Sequence, residues 1–143
     1  MPPDDVIRLD LPATHKYLNL LSACIGEMLS RLDVSVHGQN EIETTIYNVQ
    51  LAVQECCANI VDHAYDAVDG RIQATLILAE SPRRLVVELH DNGRAFEPET
   101  VPQPTLGQPQ VRGYGLFLMK ELLDEVDYDP QPGDNRWRLV KLL

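Results

Sequence analysis

The chain is short of positive charge. Of its 143 residues, 12 are Lys or Arg and 22 are Asp or Glu, giving a formal net charge of −10. So acidic a chain has little with which to neutralise a run of phosphates, which argues against DNA, RNA or an anionic membrane as a direct partner. A basic protein partner remains open, as does a nucleotide screened by a divalent cation. Long apolar runs are missing too: no stretch approaches the ~20 residues that cross a bilayer. No basic start leads into an apolar run, so no signal peptide is expected. Cysteine is scarce and odd in number (Cys24, Cys56 and Cys57). All three fall in helical patterns, and adjacent cysteines do not readily bridge within a helix. The expectation is buried, reduced thiols in a cytoplasmic protein, with redox sensing as the alternative. There is no internal repeat, and the one compositionally biased tract is a proline-rich segment. With 44% hydrophobic residues, residues 1–143 are expected to form a single domain with a sizeable core.

What is present is organised around residues 49–66, VQLAVQECCANIVDHAYD. A helical period places Val49, Val53, Cys56 and Ile60 on one apolar stripe, extended backwards by Ile42 and Ile46. Glu55, Asn59 and Asp62 follow at i, i+4 and i+7 on a second face, beside His63 and without Lys or Arg. That set reads either as an ordinary polar face or as groups that hold a cation and orient a hydroxyl.

The elements around this helix follow in order. Residues 5–11 alternate as a short strand ending at Pro12, with Val6, Leu9 and Leu11 expected inward. Thr14 is placed to cap a helix over 15–32, with Leu18, Leu21, Ile25, Leu29 and Leu32 on its apolar face and His15 facing solvent. The central helix is expected over 40–66. Residues 70–80 form a strand with Ile72, Ala74, Leu76 and Leu78 on one face, and Ser81, Pro82 and Arg83 turn it into a second strand over 84–91. Residues 97–112 hold four prolines and a glycine and are expected to form a mobile loop. A helix over 114–125 follows, with Leu116, Met119, Leu122 and Leu123 inward. A short strand at 126–128, a turn, and a closing strand over 136–143 carrying Trp137, Leu139 and Leu142 complete the chain. The fold class is α+β: a two-layer α/β sandwich of three helices on a mixed, mostly antiparallel sheet of about five strands.

Two further motifs sit at element ends. Asp91-Asn92-Gly93-Arg94-Ala95-Phe96 leaves a buried strand. A carboxylate there suits an exocyclic amine such as adenine's, and a glycine lets backbone approach a flat ring. The same residues also read as a simple turn. Gly113-Tyr114-Gly115-Leu116 opens a helix, where exposed N–H groups and the helix dipole suit a phosphate. The alternative is a flexible hinge.

In this order the three boxes resemble the ATPase fold shared by gyrase, Hsp90, histidine kinases and MutL. Within it they resemble most the bacterial anti-sigma-factor serine/threonine kinases. The likeness is carried by Leu51 to Tyr65, Asp91 to Phe96 and Gly113 to Met119, and spans nearly the whole chain. It implies a Bergerat-type ATPase fold with ATP and Mg²⁺ as ligands. Asn59 would bind the Mg²⁺ that bridges the phosphates, and Glu55 would accept the proton of a partner's serine hydroxyl. Asp91 would take the adenine amine, with Gly93 giving it room and Ala95 and Phe96 completing that box. Residues 97–112 would form a lid, and Gly113, Tyr114, Gly115 and Leu116 the phosphate-binding turn. His63 would border the pocket, and Arg112 would meet the terminal phosphate or stay a surface charge. The family's Gly-Thr pair is replaced by Gly133-Asp134-Asn135, so Asn135 either substitutes or the contact is absent. The lid is rich in Pro and Gln instead of Gly and basic residues. The implied partners are a sigma factor and an anti-sigma antagonist protein, with the chain paired as a homodimer. Two alternatives stand beside the kinase: a nucleotide-binding module that holds its partner without phosphorylating it, and a core borrowed from a histidine-phosphorylating sensor kinase. Against the last, the helix bearing an accepting His is missing.

Overall fold

The structure, a computed structural model, describes residues 4–32, 38–64, 70–93 and 114–143. Its elements are β1 (Asp5–Pro12), a 3₁₀ turn (His15–Tyr17), α1 (Leu18–Leu29), α2 (Gln39–Ala64), β2 (Arg71–Ala79), β3 (Arg84–Asp91), α3 (Tyr114–Leu122), β4 (Glu125–Asp129) and β5 (Asn135–Leu142). The strands form one five-stranded sheet in the order β1-β2-β3-β5-β4. Among the described residues every neighbouring pair is antiparallel, where a mixed sheet was expected.

Periodicity explains the layers. In β2 the residues Ile72, Ala74, Leu76 and Leu78 alternate inward while Thr75 and Ile77 are only half-buried. On α2 the stripe of Ile42, Val49, Val53, Cys56 and Ile60 is buried. On α1, Leu18, Leu21, Ile25 and Leu29 do the same. These residues join Met119 of α3 and Leu89, Trp137 and Leu139 of the sheet in one core. The result is a helical layer on one sheet face. Trp137 lies opposite Leu89 on one side and Tyr128 on the other. The Tyr128 and Trp137 rings stack at 4.2 Å between centroids.

Several boundaries and orientations differ from the sequence expectation, each for a local reason. Val6 is 41% exposed. In β1 the odd positions, Leu9 and Leu11, meet the core, and Val6 shares the opposite face with Arg8 and Asp10. Leu142, at the last paired position of β5, is likewise exposed. The first helix starts with a 3₁₀ turn, and Thr14 offers no side-chain cap. It ends at Leu29, and Leu32 reaches the core from a turn closed by its N–H on the Leu29 carbonyl at 3.1 Å. α3 stops at Leu122 because Asp124 is drawn back to β5, its N–H bonded to the Val140 carbonyl at 2.9 Å and its carboxylate accepting from the Leu142 N–H. A period of two then takes over: Val126 and Tyr128 are half-buried, and Glu125, Asp127 and Asp129 are exposed on the sheet edge. Charged side chains on an edge strand discourage pairing with other chains.

Trp137→Ala should remove both the ring packed in the core and its stack on Tyr128. The expected loss is about 3–5 kcal/mol of folding stability, read as a lower urea midpoint with an unchanged slope.

Candidate functional site

The polar face of α2 divides. At about 100° per residue, Asn59 stands roughly 40° to one side of Glu55 and Asp62 roughly 20° to the other. Gly115, the second residue of α3, lies against the first pair. A Cβ at Gly115 would stand 3.1 Å from Glu55 Oε2 and 3.1 Å from Asn59 Nδ2. Only a residue without a side chain lets the start of α3 come this close without displacing them. Asp62 is engaged elsewhere: its Oδ1 is 2.7 Å from Nε2 of His15, and both side chains are exposed. The three acidic and amide groups expected to act together are therefore two, Glu55 and Asn59, beside the N–H groups of α3's first turn. Those N–H groups lack intrahelical acceptors and carry partial positive charge.

The second part of the site is the end of β3. Asp91 is only 5% exposed. Its cross-strand partner in the register is Asn135, the first residue of β5, so the two side chains share a face. Asn135 Nδ2 donates to Asp91 Oδ1 at 3.0 Å and to the Gly93 carbonyl at 2.9 Å. The Gly93 N–H donates to the same Oδ1 at 3.0 Å. Among the described residues no donor reaches Oδ2. Burial pushes the Asp91 carboxyl above the usual carboxylate range, against the two hydrogen bonds that favour its charge; Asp134 raises it further and His90 lowers it.

The same turn of α2 borders both parts. Burial pushes the Cys56 and Cys57 thiols up, Cys57 to about 12, and the charge of Asp91 adds to the effect in both. Both thiols are free and buried, and Cys24 is free and half-buried. Buried thiols raised in this way are poor nucleophiles. Residues 55–59 thus carry Glu55 and Asn59 toward α3 and two thiols toward Asp91.

Other expected site residues are placed less fully. Leu116 is half-buried against the core. His63 ends in the last turn of α2 and Tyr114 opens α3, with their side chains outside the described set. Ala95, Phe96, Arg112, Gly113 and the expected lid at 97–112 lie outside the described residues. Among the described residues no three His, Cys, Asp or Glu side chains gather as a metal cage. The sequence marks Asn135 as a candidate substitute; its double hydrogen bond to Asp91 and Gly93 is what motif reading does not provide. Its only trace in the sequence is that Asn135 occupies the place of the family's Thr.

An α2 face, a strand-end carboxylate and a glycine-opened α3 in this order define a nucleotide-binding class of α+β domain. Residues 12–141 match the histidine kinase-like ATPase domain family, and the chain belongs to it. It is 30% identical over 141 residues to the serine-protein kinase RsbW of Bacillus pumilus, covering 90% of this chain and 81% of that protein. It is 31% identical over 132 residues to the serine-protein kinase RsbW of Bacillus subtilis, covering 85% and 76%. Among solved structures, the RsbU and RsbW domains of a Mycobacterium tuberculosis protein match with a TM-score of 0.68 at 20% identity, over 99% of this chain and 33% of that one. The histidine kinase domain of a blue-light activated kinase from Erythrobacter litoralis matches with a TM-score of 0.57 at 18% identity, over 93% of this chain and 62% of that one. At such identities these two are likenesses of fold. No helix among the described residues is long and apolar enough to cross a membrane.

Asp91→Asn should leave the fold at least as stable without ligand, because the amide oxygen still accepts from Asn135 and Gly93 while the buried charge is gone. Since burial raises the folded-state pKa of Asp91, the folded state holds this proton more tightly than the unfolded state. Its contribution to stability is full below the ordinary carboxylate value of about 3.9 and is lost as pH rises through the raised value. Thermal melts across that window should show this decline in the wild type and not in the variant.

Proposed function

We propose that this protein is an ATP-dependent serine/threonine protein kinase that phosphorylates an anti-sigma antagonist protein and sequesters a sigma factor when the antagonist is unavailable. The observation that carries the reading is Gly115: a bare Cα that sets the start of α3 against the Glu55 carboxylate and the Asn59 amide. Relatives named serine-protein kinase RsbW, which share about this length of chain, support the choice of reaction.

The residues fit ATP and Mg²⁺. Asp91 offers Oδ2 to an exocyclic amine, and its two donors hold Oδ1. Gly93 keeps a side chain away from the base. The N–H groups of α3's first turn, without intrahelical acceptors, would bind a phosphate chain. Asn59 would hold Mg²⁺ through its amide oxygen. With no cage of protein carboxylates among the described residues, the remaining ligands would be phosphate oxygens and water, as is usual for this ion. Mg²⁺ supplies charge neutralisation of the phosphates.

The chain's own work is then positioning and proton removal. Glu55, half-buried next to Asn59, takes the proton of the partner's hydroxyl. The hydroxyl oxygen bonds to the γ-phosphorus as the bond to the bridging oxygen breaks, and ADP leaves. His63, Ala95, Phe96, Arg112, Gly113, Tyr114 and Leu116 line or close the pocket in this reading, with 97–112 as its lid. The acidic surface, net −10, suits basic protein partners over nucleic acid. A homodimer in the cytoplasm completes the proposal.

Incubation with γ-labelled ATP, Mg²⁺ and the antagonist from the same operon tests it. Glu55→Ala should lower transfer by roughly 10²–10⁴-fold with ATP affinity retained. Equal labelling by the two proteins would defeat the role of Glu55. Gly115→Ala, whose methyl group would press on Glu55 and Asn59, should lose most of the thermal shift that ATP·Mg gives the wild type.

A further inference from the structure

We infer that Asn135 is a positioning residue for base selection: it holds one oxygen of Asp91 and the Gly93 carbonyl together, so that the other carboxylate oxygen is presented to an amine on the base. This rests on the nucleotide-pocket reading above. Asn135 is wholly buried, at 0% exposure, and Asp91 nearly so. Its Nδ2 carries two hydrogens and spends both, on Asp91 Oδ1 at 3.0 Å and on the Gly93 oxygen at 2.9 Å. With the Gly93 N–H also on Oδ1, three groups close a ring: the carboxylate, the amide and the glycine turn. A carboxylate fixed at one oxygen cannot rotate to share its negative charge between several orientations. Its second oxygen therefore keeps one direction.

The choice of amide over hydroxyl follows from counting donors. A threonine hydroxyl has one hydrogen and would serve Asp91 or Gly93, not both. Asn135 serves both from the first residue of β5, in register with the last residue of β3. The clamp also acts on charge. The Asn135 hydrogen bond favours ionised Asp91 against its burial. The other groups bearing on that carboxylate are His90 and Asp134 from the sheet end and Cys56 and Cys57 from α2, and substitutions at 135 leave all of these in place.

The test compares ATP with inosine triphosphate, which carries a carbonyl where adenine carries its amine. Affinities of the full chain are measured by titration calorimetry with Mg²⁺, at neutral pH and at steps below it. The wild type should prefer ATP. Asn135→Ala should lose about tenfold of that preference, the weight of one hydrogen bond to a charged group. Its ATP affinity should also begin to fall at a higher pH than in the wild type, because Asp91 protonates sooner. Asn135→Thr, keeping one donor, should lie between the two. A folded Asn135→Ala with the wild-type preference and pH profile would overturn the inference, as would one that weakens both nucleotides equally at every pH. Should Asn135→Ala not fold, Asn135→Thr decides: a preference and profile identical to the wild type overturn the clamp. A wild type that binds neither nucleotide would sink the pocket reading itself, an outcome distinct from a pocket that binds ATP without help from Asn135.

Discussion

Everything in this molecule depends on α2 being dry on one side and wet on another. Val49, Val53, Cys56 and Ile60 anchor it to the sheet through the core. That burial fixes the rotation of the helix, and rotation alone decides where Glu55 and Asn59 point. A helix held by a continuous apolar stripe over 26 residues cannot turn by one position without exposing the stripe. The polar pair is therefore as rigidly placed as the core itself, although neither residue is buried. α1 contributes from the other side: Gln50 Nε2 donates to the Ser22 carbonyl at 2.8 Å, and Gly26 leaves space for that amide.

The second constraint is electrostatic and opposes stability. A carboxylate nearly sealed at the end of β3, close enough to raise two buried thiols, is unfavourable when charged. Two hydrogen bonds to one oxygen offset this in part. A protein selected only for stability would carry a neutral side chain here. In the proposed reading this unfavourable charge is what a base amine would meet: Oδ1 is held by the protein and Oδ2 is left for the ligand.

Legibility in the sequence followed the length of each periodic signal. The two faces of α2 and the alternation of β2 run long enough that no other phase fits, and both were readable. Val6 and Leu142 sit near strand ends, where two or three residues do not define a phase. Beyond the ends of α1 and α3, Leu32 and Leu123 continue the apolar spacing into turns, so spacing alone extends both helices past their true ends. Asp62 has the spacing of a site residue, and only the fold reveals that His15, 47 positions earlier in the chain, holds it. The closeness of Gly115 to α2 was legible as three motifs in order, but not that a Cβ there would meet Glu55 and Asn59 at 3.1 Å. The Asp91–Asn135 pair, 44 residues apart, depends on strand register, which no local pattern encodes.

Trp137 is the sole tryptophan of the chain. It is almost fully buried, stacked on Tyr128, and two residues along the same strand face from Asn135. Its indole is thus an intrinsic fluorophore wired to the sheet end that holds Asp91. Emission from this single chromophore reports on the solvent exclusion of the core and on the neighbourhood of the clamp at once, with no label and no mutation.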